Sequence, residues 1–435
     1  MATYIDRTQS AGNRKTFTIS AWVKRVNRMG TYTHLFTAGP NPGAWDTFRF
    51  DNDDQLAFRI NNDSNVIKLN RKFRDTNAWY HLVLSVDTTQ ATSSDRVKIY
   101  VNGVLQTSLA SSGYPSQNQD LSFNNNGLTL RIGDATWSPG NQYLDGIMSH
   151  VHFTDGTAYP ASTFGSTDST TGEWKINTSP SLTMGTNGFT ILKDGNTITD
   201  QSSNSNNFSL TAGVITKTED NPSNVFATWN PLNPVDSITY SYGNCVITGS
   251  NSSNYTKSAI TTLGASKGKY YWEMKHTTAN ANTNTCIGVA NMDNYEFNQN
   301  ITSGTTGYVT LRFDGERQIN GATTAGYFTT PNAGDILMCA MDMDNGKVFF
   351  GNNGTWFGSG NPVTGANPTA DILTSGTWGG TIRYLAAKFE CNFGNGYIAD
   401  NTVSSAGANA SNIGIFEYDV PAGYTALCTK GLNSF

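Results

Sequence analysis

The sequence predicts an all-β protein built from two antiparallel β-sandwiches that are joined by a β-rich connector. Three observations support this fold class. Only 14% of the residues are charged and Gly is abundant, a composition that suits turns and strands better than helix interiors. Short apolar runs are separated by turn residues at regular spacing, which is typical of sandwiches. A similar strand–turn cassette occurs in each half of the chain, at residues 79–104 and 334–354.

Each cassette is an apolar strand that ends in Asp, a reversal, a second strand and an Asn-Gly turn. The closing turns are Asn102-Gly103 and Asn353-Gly354, and the second cassette reverses at Asp344-Asn345-Gly346. Asn-Gly tolerates the positive φ that tight hairpin turns require. Because 435 residues are too many for one ordinary core, the cassettes predict one sandwich in each half.

The first sandwich is predicted for residues 1–165. Between Thr16 and Arg25, the apolar residues Phe17, Ile19 and Ala21 alternate with polar ones, which predicts a half-buried strand. Further strands are predicted over residues 34–37, 47–50, 56–60, 79–86, 97–101, 128–132 and 146–153, with a hairpin turn at 51–54.

The connector is predicted for residues 166–225, where Pro, Ser, Thr and Gly are mixed. Short apolar islands interrupt it, such as residues 189–192 and 208–210. A disordered linker would not need such islands, so we expect a few strands here that pack on the first sandwich.

The second sandwich is predicted for residues 226–435. We expect residues 401–412 to form a long exposed loop and residues 416–427 to close the sheet against its first strands. The predicted strands cover residues 269–275, 285–290, 307–312, 335–343, 347–351 and 382–393.

Composition argues against several functional classes. The net charge is −5 and no dense Lys/Arg cluster suggests nucleic-acid binding. No apolar run approaches the roughly 20 residues of a membrane helix, and the first residues lack signal-peptide features, so we expect a soluble cytosolic product. The five cysteines lack a CxxC pair, so we expect free, mostly buried thiols; they are Cys245, Cys286, Cys339, Cys391 and Cys428.

The sequence gives no sign of catalysis. A glycosidase needs two carboxylates about 5–10 Å apart; Asp342 and Asp344 have i, i+2 spacing, but they flank a turn and are assigned to it. His150 and His152 share a strand face, either to bind a metal or simply to pack, and no third ligand is visible nearby. His81 is assigned a structural role. The HExxH motif, the P-loop and the Rossmann fingerprint are absent, so we expect no enzymatic activity.

Calcium binding is left open. Candidate ligands are Asp51, Asp53 and Asp54 in one turn, or Asp134 with Asp145, because carboxylate oxygens are the ligands that calcium prefers. Acidic turns also occur without a metal.

Sugar binding calls for exposed aromatic rings beside polar groups. Six loop aromatics flanked by Gly, Asn or Asp are the candidates, with the alternative that each covers the end of a core. They are Trp356, Phe357, Trp378, Trp137, Tyr143 and Trp45. Of these, Trp356, Phe357 and Trp378 are preferred, because they follow the second-half hairpin.

Each half of the chain resembles a different protein family. Residues 17–24, 79–82, 98–103 and 143–146 resemble the laminin-G/concanavalin A-like family. Residues 268–273, 287–290 and 334–337, with 342–350 and 393–394, resemble a SPRY domain. The junction is more specific, because residues 160–165, 172–175, 185–189, 194–208 and 220–228, with the ending 421–427, resemble virion proteins of tailed bacteriophages.

The resemblance implies a phage protein at the virion surface, a fibre or appendage that adheres to host-surface glycans. A capsid or tail decoration subunit without a sugar ligand is the alternative, and a glycan hydrolase is a distant one. The expected partners are other virion proteins and further copies of the chain, with a trimer favoured. No coiled-coil heptads are visible to hold such an oligomer, so sandwich surfaces or a partner protein must supply the contacts.

Overall fold

The computed structural model describes residues 2–39, 44–193, 195, 197–232, 238–249, 258–277, 285–293, 306–373, 375–383, 387–399, 401–403 and 406–434. The predicted all-β fold class is confirmed. The chain forms two compact units: Met1–Lys217 with Asn221–Ser223, and Thr218–Asp220 with Asn224–Phe435. None of the helices in the described ranges is long and apolar enough to cross a membrane.

The described part of the first unit contains two main sheets and a small hairpin. The larger sheet has the strand order β10-β6-β5-β4-β3-β11-β1-β16, the smaller one β15-β12-β2-β7-β8-β9, and β13 pairs with β14. Short 3₁₀ turns lie at Ser93–Asp95 and Ala161–Thr163. The strands are β1 Tyr4–Thr8, β2 Thr16–Arg25, β3 Thr33–Ala38, β4 Asp46–Phe50, β5 Gln55–Ile60, β6 Asn65–Lys72, β7 Trp79–Asp87, β8 Val97–Val101, β9 Val104–Leu105, β10 Leu109–Ser112, β11 Thr129–Ile132, β12 Gly146–Asp155, β13 Gly165–Thr167, β14 Trp174–Ile176, β15 Phe189–Ile191 and β16 Ser209–Ala212.

The second unit repeats this arrangement within its described residues. One sheet has the order β17-β18-β29-β20-β25-β26-β27, with β32 joining β20 in parallel, and the other has β19-β28-β21-β22-β23-β24. A 3₁₀ turn lies at Phe357–Ser359 and a short helix, α1, at Thr429–Leu432. The strands are β17 Ile238–Ser241, β18 Val246–Gly249, β19 Ser258–Ile260, β20 Lys269–His276, β21 Cys286–Asn291, β22 Tyr308–Arg312, β23 Glu316–Ile319, β24 Ala322–Thr324, β25 Ile336–Asp342, β26 Lys347–Asn352, β27 Thr355–Trp356, β28 Trp378–Arg383, β29 Lys388–Asn392, β30 Tyr397–Ile398, β31 Asn401–Thr402 and β32 Thr425–Ala426.

One predicted strand is wrong. Residues 382–393 were expected to form a single strand, but β28 ends at Arg383 and β29 begins at Lys388, in opposite sheets. The chain crosses from one sheet to the other between them. No Gly, Pro or Asn marks this crossing in the sequence, so local turn chemistry could not indicate it.

The region predicted as a connector contributes strands to both sheets of the first unit. Strand β15 pairs with β12, where Val151 faces Ile191, and β16 pairs with β1, where Ile5 faces Leu210. Phe189 and Phe208 are buried in the same core. The apolar islands therefore pack as sheet residues within this unit.

Alternation along β2 explains how the first core forms. Phe17, Ile19, Ala21 and Val23 point into the core between the sheets, since alternate residues of a strand face opposite sides. The residues between them are buried as well. On the outer face of this sheet, Val83 packs with Ala161, Phe164 and Trp174 in a separate apolar cluster.

The second unit covers the outer face of its sheet in a similar way. Tyr270, Trp272 and Met274 of β20 point into the main core, whereas Tyr271 joins a second apolar cluster with Phe416 and Tyr424. We call residues 406–434 the C-terminal strap. Strand β32 of the strap pairs with β20, so the chain end returns to an early strand, as predicted. All five cysteines are buried free thiols, also as predicted.

Glu273 joins the strap to the sheet. Its buried carboxylate accepts hydrogen bonds from the backbone N–H groups of Tyr418 (2.8 Å) and Glu417 (2.9 Å) and from the Tyr271 hydroxyl (3.0 Å). Burial raises the pKa of Glu273 to about 7, although these donors favour the charged form. Ionising the Glu273 carboxyl in the folded chain therefore costs free energy.

We expect the stability of the second unit to fall as the pH rises from about 4.5 to about 7. A carboxyl whose pKa is higher in the folded than in the unfolded chain binds its proton more tightly when folded, so protonation stabilises the fold at low pH. The free energy of unfolding should drop by up to about 3 kcal/mol across this range. Urea denaturation at pH 5 and pH 8 measures it.

Glu273→Gln should remove most of this pH dependence, whereas Glu316→Gln, at a partly exposed hairpin carboxylate, should retain it. A Glu273→Gln protein whose pH dependence matches that of the wild type would contradict the assignment.

Candidate functional site

The structure brings together two of the six predicted aromatics, Trp45 and Trp137. Their rings stack with centroids 4.0 Å apart and an interplanar angle of 23°, and both side chains are partly exposed. The edge of His34 meets the Trp137 ring at 5.0 Å and 84°. The Arg49 guanidinium lies 4.5 Å from the Tyr32 ring and 6.0 Å from that of Trp45. We call these five residues the tryptophan site.

Trp45 is held by the turn between β5 and β6. Its backbone N–H donates to the Asn62 side-chain oxygen (3.0 Å), and the Asn62 N–H donates to the Trp45 carbonyl (3.2 Å). Asn61, Asn62 and Asp63 all have positive φ, of 49°, 53° and 68°, a conformation that Asn and Asp tolerate better than other non-glycine residues. The Asp46 carboxylate fixes this turn further by accepting from the Asn61 N–H (2.8 Å).

Trp137 lies on a closed loop, residues 133–144. The Leu144 N–H donates to the Gly133 carbonyl at the base of the loop (2.8 Å), and the Asp134 carboxylate accepts from the N–H groups of Ala135 and Gly140. Compact loops whose ends meet are frequently functional. Trp137 is therefore presented by a preorganised loop.

Beneath the two indoles lies a buried polar network on the outer face of the larger sheet. His34 is fully buried and shares hydrogen bonds with Gln142 of the loop (2.9 Å) and with the hydroxyls of Thr47 (2.8 Å) and Thr37 (3.2 Å). Burial, aided by the charge of Arg49, lowers the pKa of His34 to about 3. The imidazole is thus neutral at physiological pH and ties the loop to the sheet.

Asp51 balances the charge of this face. Its carboxylate, 1% exposed, pairs with Arg49 (2.8 Å), with Arg59 and with Lys68 (3.4 Å). Burial alone would raise the pKa of Asp51, but the hydrogen bonds from Arg59 and Arg49 outweigh it and hold the pKa below its ordinary value. Asp63 and Asp53 neutralise the remaining charge of Arg59 and Lys68. The face is polar but close to electrically neutral.

The calcium candidates have partners within the protein. The Asp51 oxygens contact cationic groups as described, and Asp54 pairs with Arg25 (3.3 Å) and Arg74 (2.7 Å). Burial raises the pKa of both Asp134 and Asp145. Across the described ranges, no group of three or more His, Cys, Asp or Glu side chains is placed to hold a metal ion.

The histidines have structural contacts. His152 shares a hydrogen bond with the Thr190 hydroxyl (2.9 Å), and His150 shares one with Ser149 (2.8 Å) at a β-bulge. The His81 ring stacks on Trp22, with ring centroids 5.0 Å apart, and the Trp174 ring lies beside it at 5.9 Å.

Ser20 and His81 do not form a nucleophile–base pair. The Trp174 indole N–H donates to His81 Nδ1 (3.0 Å), so the single proton of the neutral imidazole is on Nε2. Nε2 lies 2.9 Å from the Ser20 hydroxyl oxygen and therefore donates to it. A general base would need an acceptor nitrogen at this position. Burial also lowers the pKa of His81 to about 3.

The second-unit candidates are packed to different degrees. Phe357 is partly buried against Phe328, with ring centroids 5.0 Å apart, and Trp356 lies 6.4 Å from Tyr271. The expectation of an exposed ring at Trp378 is corrected, because this side chain is 3% exposed and belongs to the core. Trp378 begins β28, which lies between β19 and β21 in its sheet, and its side chain points into the core between the two sheets.

Tyr143 is the remaining predicted aromatic. It follows Trp137 on the same stretch of chain, and the Arg28 guanidinium lies 4.0 Å from its ring centroid. Arg28 also donates to the Asn141 carbonyl (2.6 Å). Tyr143 therefore helps to hold the loop.

The two aspartates at the second-half hairpin have the predicted turn role. Asp342 accepts from the Asn345 backbone N–H (3.1 Å) and side chain (2.9 Å) and pairs with Lys269 (2.9 Å). Asp344 accepts from the Gly268 N–H (2.7 Å). Their oxygens hold the hairpin and the adjacent strand end.

Sequence reasoning missed Tyr32, His34 and Arg49. A usable signal was present: Phe48 and Phe50 of β4 point to the core, so Thr47 and Arg49, which alternate with them, must face outward. The pairing of β3 with β4, which brings His34 opposite Arg49, was not visible in the sequence.

We expect no covalent labelling of Ser20 by a fluorophosphonate probe, because His81 cannot take its proton. Intact-mass spectrometry after incubation, with a serine hydrolase labelled in parallel as the positive control, measures this. Attachment of the probe at Ser20 would contradict the assigned tautomer.

Comparison with known families supports both sandwich assignments. Residues 2–162 match the family model of the concanavalin A-like lectin/glucanases superfamily, and residues 269–363 match that of the SPRY domain. The chain thus carries a concanavalin-like N-terminal domain and a C-terminal SPRY domain, which fit a carbohydrate- or protein-binding role. A search of curated proteins found no match.

Solved structures with similar regions include the SPRY domain of human HERC1, at 17% identity over 38% of this chain and 96% of that one, with a TM-score of 0.29. The native heptameric SAP-like pentraxin from Limulus polyphemus is 14% identical over 50% of this chain and 89% of that one, with a TM-score of 0.32. Domain 4 of AbnA, a GH43 extracellular arabinanase from Geobacillus stearothermophilus, in complex with arabinotriose, is 20% identical over 36% of this chain and 68% of that one, with a TM-score of 0.26.

Proposed function

We propose that this chain is a non-enzymatic surface protein of a tailed-phage virion, a fibre or appendage that adheres to host-surface glycans through the tryptophan site. The phage assignment is supported by the resemblance of residues 160–228 to virion proteins. The observation that carries glycan binding is the partly exposed indole pair of Trp45 and Trp137 above a polar sheet face.

The site suits a neutral sugar. The stacked indoles leave no room for a ring between them at 4.0 Å, so a sugar would lie on a ring face turned away from the other indole. Asn62 is exposed beside Trp45 and offers an amide to sugar hydroxyls, and Arg59 lies on the adjacent strand. Because each cation of this face is paired with a carboxylate, an acidic sugar gains little from it.

The non-enzymatic assignment is supported by the chemistry of the described residues. Ser20 lacks a base, and Asp342 and Asp344 are used in a turn. Near the tryptophan site, Asp51 is held ionised by arginines, so it cannot donate the proton that a glycosidase acid must supply. A decoration subunit without a sugar ligand remains the competing function and is an outcome of the binding test.

We expect purified protein to be retained on host cells and to bind a neutral glycan on an array. Trp137→Ala and Trp45→Ala should each weaken binding by about tenfold or more, since truncating an aromatic anchor commonly costs 2 kcal/mol or more. Phe357→Ala in the second unit is the control and should bind as the wild type does.

Biolayer interferometry with the best array glycan gives the affinities, and near-ultraviolet circular dichroism confirms that each variant is folded. Absence of binding to every host surface and glycan would reject adhesion in favour of decoration. Shortening of host polysaccharide during incubation would reject the non-enzymatic assignment.

Glycan binding should be independent of calcium. The Asp51 oxygens contact Arg49, Arg59 and Lys68 rather than facing an open cation position. Adding EDTA, or calcium at millimolar concentration, should leave the affinity within about twofold. A loss of binding in EDTA that calcium restores would show a metal-dependent site.

A further inference from the structure

The tryptophan site contains a third aromatic ring, that of Tyr32, which is set apart from the indole pair. Trp45 comes just before Asp46, where β4 begins, whereas Tyr32 comes just before Thr33, which pairs with Phe50 at the end of β4. Asp46 and Phe50 are about 13 Å apart along the strand, at roughly 3.3 Å per residue. The two aromatic side chains are therefore attached at opposite ends of the ladder formed by β3 and β4.

Arg49 links these two ends. Its guanidinium lies 4.5 Å from the Tyr32 ring and 6.0 Å from the Trp45 ring, so both side chains reach toward the same group. Arg49 is only 5% exposed, and it is fixed by hydrogen bonds to Asp51 (2.8 Å) and His34 (3.4 Å). The two rings are thus held apart by a buried arginine that is fixed from below.

Tyr32 is positioned and still accessible. A guanidinium over an aromatic face attracts the ring, which favours one orientation of the Tyr32 side chain. The residue remains partly exposed, and its hydroxyl can donate to and accept from a sugar hydroxyl. Tyr32 therefore has the two properties of a sugar contact, an aromatic surface and a polar group beside it.

A single sugar ring cannot cover both the indole pair and Tyr32, because Arg49 lies between them and a pyranose is about the size of one aromatic ring. Linked sugars of a glycan chain can instead cover them in succession. The charge of Arg49 between the two contacts is balanced by Asp51, which again suits a neutral chain.

We propose that the tryptophan site binds several consecutive sugar units of a neutral glycan chain, with the indole pair and Tyr32 as separate anchors for different units. The site then selects for chain length, and a single terminal sugar fills only part of it. This inference rests on the proposed function, because it specifies the ligand of the same site.

We expect the affinity to rise with glycan length. The probes are fragments of the polysaccharide from host cells that retain the protein, released by partial acid hydrolysis and sorted from single sugars to hexasaccharides. In isothermal titration calorimetry with the wild-type chain, hexasaccharides should bind about tenfold or more tightly than single sugars, since one aromatic anchor commonly contributes that much. This length series does not depend on the folding of any variant.

Tyr32→Ala should remove this gain, so that hexasaccharides bind about tenfold more weakly while the affinity for single sugars is unchanged. Trp137→Ala should weaken binding at every length. The matched control is Tyr327→Ala in the second unit, where the Arg317 guanidinium also lies 4.5 Å from the tyrosine ring; it should bind every fragment as the wild type does. Thermal denaturation checks that each variant is folded.

Three results would overturn the inference and leave adhesion intact: single sugars that bind as tightly as hexasaccharides, a folded Tyr32→Ala variant that retains the gain, or one that loses affinity equally at every length. Failure of the wild type to bind any host cell or fragment would reject adhesion itself, and this inference with it.

Discussion

Each unit depends on a carboxylate that is buried on the outer face of one of its sheets. Asp51 in the first unit pairs with three cationic side chains, one each from β4, β5 and β6. Glu273 in the second unit accepts hydrogen bonds from backbone N–H groups of the C-terminal strap. A buried charge is costly unless it is paired or hydrogen-bonded. The strap therefore satisfies the buried carboxylate of the second unit, as the three cationic side chains satisfy Asp51 in the first.

Both carboxylates are buried, but their partners leave them with pKa values shifted in opposite directions. Arginine partners hold Asp51 ionised, with its pKa below the ordinary value, whereas Glu273 has neutral donors and its pKa rises to about 7. Direct ion pairs offset desolvation more strongly than dipoles do. The charge of Asp51, beside the proposed glycan site, therefore does not change near neutral pH, whereas the charge of Glu273, at the strap, does.

The proposed adhesion uses the middle of the larger sheet of the first sandwich. The tryptophan site involves the loop 133–144 together with β3 and β4, which lie near the middle of the eight-strand order. The charged groups of this face are paired with one another, so the site has little net charge in a chain of which only 14% of the residues are charged.

The sequence alone determined the fold class, most strands and the turn roles of Asn102-Gly103 and Asp342, because alternation and turn chemistry act over a few residues. It also selected Trp45 and Trp137 as separate candidates. Only the tertiary structure decided that Trp378 is buried and that the rings of Trp45 and Trp137 stack. It also decided that His34 and Arg49 lie beside these two rings, because the two indoles come from segments far apart in the chain. The crossing between β28 and β29 was likewise hidden, because which sheet a strand joins is set by long-range pairing and not by its own residues.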